Sequence, residues 1–131
     1  MKSFKQYISE SKSPRITLWL HPEYLGATPH TDNFDDLPTE NIPMHKIQGI
    51  EPEDKMKDPS SATNMKNIAN SLLKGETVPP ILLRRHEDGY QILDGHHRFH
   101  ANRLIGSSVI PSKIVPEEDI HIRHDIPSTI P

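Results

Sequence analysis

The chain has 131 residues, 13 prolines, no cysteine and a formal net charge of −3 with neutral histidines. Its apolar share of 33% suits one compact domain with polar segments outside the core. The absence of cysteine excludes disulfides and thiolate chemistry, no apolar stretch approaches the roughly 20 residues of a membrane span, and the charge disfavours non-specific DNA binding. We therefore expect a soluble, cytoplasmic protein with no membrane segment.

The first 43 residues predict a short leader followed by a proline-rich arm. "MKSFKQYISE" places its aromatic residues at helical spacing, enough for one amphipathic turn. Residues 13–43 carry five prolines, a frequency that argues against long helices and central strands: Pro14, Pro22, Pro29, Pro38 and Pro43. We expect an extended arm that packs along the domain through Trp19 and Leu20.

A change of pattern at residue 44 predicts the start of the folded domain. "MHKIQGI" alternates apolar and polar positions and predicts a first strand. "PSSATNMKNIANSLLKG" predicts a helix that Ser60 or Ser61 caps and a glycine ends. "PPILLRRHEDGYQILDG" predicts a β-hairpin that turns at Asp88-Gly89.

A second helix and a last strand complete this domain. The helix runs from His96 to Ile105 with His97, Ala101, Leu104 and Ile105 on one buried stripe, and "SSVIPSKIV" predicts the strand. The resulting order is β-α-β-β-α-β over residues 44–116, an α/β (α+β) fold with a mixed sheet. Residues 117–131 predict a tail, in which "IHIRH" can add an edge strand.

The run "ILDGHHRFHANRLIG" places polar chemistry at a junction between strand and helix. Free N–H groups at a helix start, a flexible Gly95 and the guanidinium of Arg98 make an anion site suited to phosphate. His97 can donate to an oxygen or move a proton near neutral pH. Asp94 would repel phosphate unless Mg²⁺ bridges the two, or it orients His97 or activates a hydroxyl.

Two other interpretations of the junction stay open. Asp94 can be a simple helix N-cap, with Gly95 in a tight turn and the histidines solvated. His96 and His100 lie four residues apart, a spacing that puts two imidazoles on one helix face as metal ligands. A phosphate site accounts for more of the run than either.

Residues 44–116 resemble the ParB/sulfiredoxin superfamily. The resemblance rests on "LDGHHRFHANRLIG", on "VPPILLRRHEDGYQI" before it and on "VIPSKIV" after it. In that superfamily the block holds the phosphates of a nucleotide, which is CTP in ParB proteins, ATP in sulfiredoxins and ADP in free serine kinases. The resemblance therefore implies phosphate binding by four residues here: Gly95, His96, His97 and Arg98.

Within the superfamily, "DGHHR" is most similar to the free serine kinases. Sulfiredoxins have a catalytic cysteine where this chain has His96, so we expect no sulfinic acid reduction. The resemblance does not extend to the helix-turn-helix domain of partition proteins, so we expect no partition role. The kinases place a catalytic base after the first strand, and Glu51 stands at the matching position. Sulfiredoxins touch the nucleotide from the first helix, which implies the same for Asn67 and Ser71, on one polar stripe with Asn64.

The amino terminus is similar to the capsid-targeting leader of internal head proteins of T-even-type phages. That leader starts Met-Lys and ends in an Ile/Leu-X-Glu cleavage site, which Ile8-Ser9-Glu10 matches. The resemblance implies a phage protein that is packaged in the virion, injected, and trimmed by a protease after residue 10.

The function expected from these patterns is nucleotide binding with Mg²⁺-dependent phosphoryl transfer or hydrolysis. Glu51 or Asp94 would act as base, His97 and Arg98 would contact the phosphates, and Asp94 would hold the metal. The acceptor would be a small hydroxyl compound, a nucleic-acid end or water. The alternatives are a metal-dependent DNA nuclease or DNA-binding protein, and a module that captures a nucleotide or host protein without catalysis.

Overall fold

The computed structural model describes residues 14–31, 33–50 and 58–128. These residues form eight strands and two α-helices, with short 3₁₀ turns at Met44–Lys46 and Glu117–Asp119. In chain order the elements are β1 (Ile16–His21), β2 (Tyr24–Pro29), β3 (Glu40–Pro43), β4 (Ile47–Gln48), α1 (Pro59–Leu73), β5 (Ile81–His86), β6 (Gly89–Asp94), α2 (His96–Leu104), β7 (Val109–Ile114) and β8 (Ile120–Arg123).

The larger sheet has five strands in the order β3-β7-β5-β6-β4. Its neighbouring pairs alternate between antiparallel and parallel, so the sheet is mixed. From β4 onwards the chain follows the predicted order of strand, helix, hairpin, helix and strand, which confirms the α+β class. The apolar start of β5 lies in the middle of this sheet, where Ile81 and Leu83 are fully buried.

The hairpin and the first strand differ in detail from their predictions. The turn lies at Glu87-Asp88, one residue earlier than predicted, and Gly89 begins β6. A Cβ on Gly89 would collide with the carbonyl oxygen of Lys46, so this glycine serves close strand packing rather than the turn. The first strand is shortened to β4 because the residues before it form a 3₁₀ turn.

Helix α1 begins after Asp58, and the predicted cap at Ser60 or Ser61 is wrong. The Asp58 carboxylate accepts a hydrogen bond from the Ser60 N–H at 3.2 Å and another from the Ser60 hydroxyl. Pro59 follows at the first helical position, where its missing N–H costs nothing. The Asp58 side chain therefore provides the hydrogen-bond acceptor for the Ser60 N–H at the start of α1.

The proline-rich segment supplies two strands of a second sheet and β3 of the larger sheet, instead of the extended arm predicted for it. β1 pairs with β2 as an antiparallel hairpin and with β8 in parallel, so β1 is the central strand of three. This is possible because the prolines near β1 flank the strand at Pro14 and Pro22 and do not interrupt it. The edge strand predicted in "IHIRH" is confirmed as β8.

One face of this small sheet contributes to the core. Ile16 and Leu18 are fully buried, with no surface accessible to solvent, and they share a cluster with Leu93 of β6 and with Val115, which follows β7. Leu20 packs against the same cluster, as predicted. Trp19 points to the other face, where the guanidinium of Arg123 lies 4.7 Å from its ring.

Some predictions fall outside the described residues. The leader at residues 1–10 and the candidate base Glu51 both do so, and they stay predictions. The division of the chain at residues 43 and 116 also stays a prediction.

In the described part of the chain, no helix has the length and apolar composition needed to cross a bilayer.

Candidate functional site

The junction between β6 and α2 is built around Gly95. Gly95 is the N-cap of α2 with φ 113° and ψ 29°, a left-handed conformation that side chains disfavour. A Cβ there would lie 2.7 Å from Cβ of Ile81, so the packing admits only glycine. Because glycine has no side chain, it offers no cap to the first N–H groups of the helix.

A cavity of about 420 Å³, here called the helix cavity, opens at this junction. It lies between α1 and the start of α2 and takes one wall residue from β2. All five residues of the predicted "DGHHR" block line it. Its described lining consists of Ala27, Asn64, Ile68, Val78, Pro79, Leu93, Asp94, Gly95, His96, His97 and Arg98.

Arg98 is fixed by its neighbours in a single position at the edge of the cavity. Its Nη1 donates to the carbonyl oxygens of Pro79 at 3.1 Å and Pro80 at 2.9 Å. Its Nη2 donates to Oδ2 of Asp94 at 3.0 Å. The Arg98 side chain is 19% exposed and that of Asp94 is 52% exposed, so the ion pair faces solvent through its carboxylate.

This pairing decides one of the open interpretations. The N-cap of α2 is Gly95 and has no side-chain hydrogen bond to the helix. Asp94 lies one residue earlier and directs its carboxylate to Arg98, four positions on. The interpretation of Asp94 as a simple helix cap is therefore wrong.

The two neighbouring histidines have different surroundings. His97 is half-buried, and its Nε2 makes a 3.0 Å hydrogen bond with the hydroxyl of Ser61, which joins the starts of the two helices. His96 is only 6% exposed, and its Nε2 accepts a 3.1 Å hydrogen bond from the Ile50 N–H. The His96 ring thus fastens the chain after β4 to the start of α2.

The apolar stripe predicted for α2 is confirmed at Ala101, which is fully buried, and wrong at Leu104. The buried residues of the helix are His96, Phe99, Ala101 and Asn102. Leu104, predicted on the buried stripe, is 67% exposed. The inward face is therefore rotated towards His96, and polar Asn102 is accepted there because its side chain donates to the Arg98 carbonyl oxygen at 2.9 Å.

The first helix meets the cavity through only part of the polar stripe predicted on it. Asn64 and Ile68, four residues apart, line the cavity. Asn67 and Ser71 are not among its lining residues, and Asn67 is exposed. The spacing of four residues places Asn64 and Ile68 on one face of α1, the face that points to the junction.

Metal ligation has limited support among the described residues. Within residues 14–31, 33–50 and 58–128, no three histidine or acidic side chains come together as a metal site. The His96–His100 pair has other partners, since His96 accepts from Ile50 and His100 bonds with Arg103 at 2.7 Å. Asp94 can contribute one carboxylate to a metal that phosphate also binds, as Mg²⁺ commonly is held.

Sequence reasoning missed the contribution of the segment before β5. The carbonyl oxygens of Pro79 and Pro80 hold Arg98, and Val78 lines the cavity. Because two consecutive prolines disfavour a helix, their carbonyl oxygens accept no helical hydrogen bond and can accept one from a guanidinium. The sequence "VPP" carried this signal.

Comparison with known proteins gives a family for most of the chain. The ParB N-terminal domain matches residues 29–127, and none of the curated proteins matches the chain. Sulfiredoxin from Arabidopsis thaliana superposes with a TM-score of 0.50 and 22% identity, covering 60% of this chain and 84% of its own. At that identity the likeness shows the fold alone.

Two further solved structures cover less of their own length. ParB from Caulobacter crescentus, solved with CTP-γ-S, has a TM-score of 0.45 and 22% identity over 68% of this chain and 46% of its own. A free serine kinase variant in complex with ADP has a TM-score of 0.44 and 22% identity over 75% of this chain and 37% of its own. This chain thus spans less than half of either protein.

Proposed function

This chain belongs to the ParB N-terminal domain family, and we propose that its helix cavity binds the phosphates of a nucleoside di- or triphosphate. The observation that carries the proposal is the start of α2, where Gly95 leaves the helix without a side-chain cap and Arg98 lies beside it. Backbone N–H groups and a guanidinium are the donors that phosphate oxygens prefer. The family resemblance implies ATP, ADP or CTP as the nucleotide.

The residues of the junction take separate parts in this binding. The backbone N–H groups that follow Gly95 bind phosphate oxygens. The His96 ring positions the chain before Glu51, since its Nε2 accepts from the Ile50 N–H. His97 lies at the cavity surface, bonded to Ser61, and donates to a phosphate oxygen.

Arg98 and Asp94 carry the opposite charges that an incoming phosphate meets in the helix cavity. Asp94 holds Nη2 of Arg98, so an incoming phosphate competes with this carboxylate for the guanidinium. The exposed Asp94 carboxylate would hold a Mg²⁺ ion together with phosphate oxygens, and the ion would supply positive charge that neutralises the phosphoryl group. We propose Mg²⁺-dependent phosphoryl transfer or nucleotide hydrolysis, with Asp94 or Glu51 as base.

Calorimetry on the full chain tests the binding. ATP, ADP, CTP and GTP are each titrated in Mg²⁺, and at least one is expected to bind. Arg98→Ala should weaken that binding roughly tenfold to a hundredfold, the scale of a hydrogen bond to a charged group. Arg103→Ala is the matched control, because it removes an arginine from the same helix that does not line the cavity. No heat with any of the four nucleotides contradicts the proposal.

Binding without chemistry is the second candidate. Asp94 is the one carboxylate among the described residues that line the helix cavity, which favours capture of a nucleotide over its turnover. Nucleotide recovered unchanged after long incubation with Mg²⁺ and candidate acceptors supports capture. Release of ADP or CDP supports catalysis, and nicking of plasmid DNA with Mg²⁺ or Mn²⁺ would support the nuclease alternative.

A further inference from the structure

The face of the small sheet that points away from the core, here called the outer face, carries a tryptophan and a tyrosine. Trp19 lies on the central strand, opposite Gly26 of β2 and Arg123 of β8. The Tyr24 ring lies beside Gly26, since a Cβ on that glycine would be 3.3 Å from the Tyr24 hydroxyl. Neither aromatic side chain is fully buried. The two rings therefore form part of the protein surface.

The two rings meet as the sides of a corner. Their centroids are 6.4 Å apart, and their planes are inclined to each other at 85°. The guanidinium of Arg123 lies over the indole, with its central carbon 4.7 Å from the ring centre. One face of the indole is therefore already occupied by a cation, while the corner with Tyr24 is apolar on both sides.

The indole N–H of Trp19 lacks a hydrogen-bond acceptor. Its Nε1 atom is shielded from solvent, and no described residue accepts a hydrogen bond from it. A buried tryptophan N–H normally has an acceptor, because an unpaired donor away from water costs free energy. The neighbouring Arg123 side chain is 43% exposed, so it can shift when a ligand arrives. A ligand that brings a carbonyl oxygen to this N–H would remove the cost.

The charges beside the rings cancel. Arg123 donates two hydrogen bonds to the Asp125 carboxylate, at 2.9 and 2.7 Å. These hydrogen bonds lower the pKa of Asp125, so the pair is ionised at neutral pH. The guanidinium already has a carboxylate partner that a phosphate or an acidic peptide would have to displace. A ligand without net charge is therefore favoured at the rings.

The geometry favours an extended peptide over a ligand that stacks. A nucleic-acid base or a sugar ring lies flat on an aromatic face, and Arg123 competes for that face of the indole. A proline-rich segment in the polyproline II conformation docks instead in a groove between aromatic side chains. Its carbonyl oxygens have no internal hydrogen bonds and can accept one from the indole N–H. Two residues of this helix rise about 6.2 Å, close to the 6.4 Å between the ring centres.

We propose that the outer face binds an uncharged, proline-rich segment of a partner protein in the polyproline II conformation. A proline ring enters the corner between Trp19 and Tyr24, and a neighbouring carbonyl oxygen accepts the hydrogen bond from Nε1. The segment loses little conformational entropy, because polyproline II is its preferred conformation before binding. Neither ring lines the helix cavity, so this inference does not depend on nucleotide binding.

The single tryptophan of the chain allows a direct measurement. Decaproline with blocked ends is titrated into the full chain, and the fluorescence of Trp19 and the NMR signal of its indole N–H are followed. Both should change saturably, and the N–H signal should move downfield because the proton gains an acceptor. An uncharged glycine-serine peptide of the same length is the control and should change neither signal.

Two variants locate the peptide on the outer face. Trp19→Phe keeps an aromatic ring but removes the N–H, and calorimetry should find decaproline binding weakened about fivefold, the scale of one neutral hydrogen bond. Tyr24→Leu removes one side of the corner and should weaken binding roughly tenfold. Tyr90→Leu removes a ring from the larger sheet and is the matched control, with unchanged affinity for decaproline. Nucleotide affinity should stay the same in all three variants.

Each other outcome decides against the inference. Absence of a saturable change with decaproline at millimolar concentration refutes it, and so does an equal response to the glycine-serine peptide. Saturable binding of oligothymidylate or cellohexaose in place of decaproline overturns the assigned ligand class. A Tyr24→Leu protein that keeps the melting temperature and the peptide affinity of the parent places the peptide elsewhere, whether or not Trp19→Phe folds.

Discussion

The starts of the two helices use an aspartate in opposite ways. Asp58 caps α1 directly and accepts hydrogen bonds from Ser60, so a side chain of the protein itself satisfies the Ser60 N–H at the start of that helix. Asp94 stands one residue further from α2 and turns to Arg98, while Gly95 occupies the cap position without a side chain. A helix start with a side-chain cap contributes to the stability of the fold. A helix start without such a cap, beside a cavity, has N–H groups available to an anion.

The largest expected effect comes from closing the space at Gly95. Gly95→Ala adds a Cβ against Ile81 and strains a left-handed residue, so we expect a loss of roughly 2–5 kcal/mol in unfolding free energy. Gly75→Ala is the matched control, because Gly75 also has a positive φ but a Cβ there meets nothing within 4 Å. It should cost about 1 kcal/mol.

Denaturant unfolding of both glycine variants measures this difference. Equal losses of stability would mean that backbone strain alone governs Gly95 and that contact with Ile81 is unimportant. The folded fraction of Gly95→Ala is expected to bind nucleotide more weakly in a titration, because the added Cβ displaces the start of α2.

Removal of the cap at Asp58 is expected to have an intermediate effect on stability and none on nucleotide binding. Asp58→Ala leaves the Ser60 N–H without its acceptor and should lower the melting temperature by roughly 4 °C. Asp58→Asn, which retains a capping oxygen, is the control and should stay close to the parent. A change in nucleotide affinity in Asp58→Ala would break the distinction between the two helix starts.

The cap at Asp58 also predicts a dependence on pH. The hydrogen bond from the Ser60 hydroxyl lowers the pKa of Asp58 below its ordinary 3.8. Since the unfolded chain keeps the ordinary value, the contribution is fully present above pH 3.8 and is lost as the pH falls through the lower folded pKa. Melting temperatures of the parent and Asp58→Ala, compared in this acid range, should converge; a constant difference would contradict the prediction.

The smallest expected effect concerns the hydrogen bond that joins the two helix starts. Ser61→Ala removes the partner of His97 Nε2 and should cost about 0.5 kcal/mol of stability. If His97 contacts phosphate, its freer ring should also weaken nucleotide binding a few-fold. Calorimetry that finds the affinity unchanged would assign His97 a structural role between the helices.

The candidate site was largely predictable because its residues are consecutive. Asp94, Gly95, His96, His97 and Arg98 all line one cavity, as a turn into a helix start requires. The separate parts of the two histidines were not predictable. The predicted stripe put His97 and Leu104 on the buried face and left His96 off it, because periodicity cannot include the sheet and the Ile50 N–H that the His96 ring meets.

By itself the sequence determined the elements whose signals are local. The helix that ends near Gly75, the hairpin and the turn into α2 depend on periodicity, glycine and neighbouring residues, and these act within a few positions. Only the tertiary structure decided that β1 pairs with β8, Ile16 opposite Ile120, and that Arg98 meets the carbonyls of Pro79 and Pro80. Such contacts join distant parts of the chain, so their stability comes from burial and hydrogen bonds that no local pattern records.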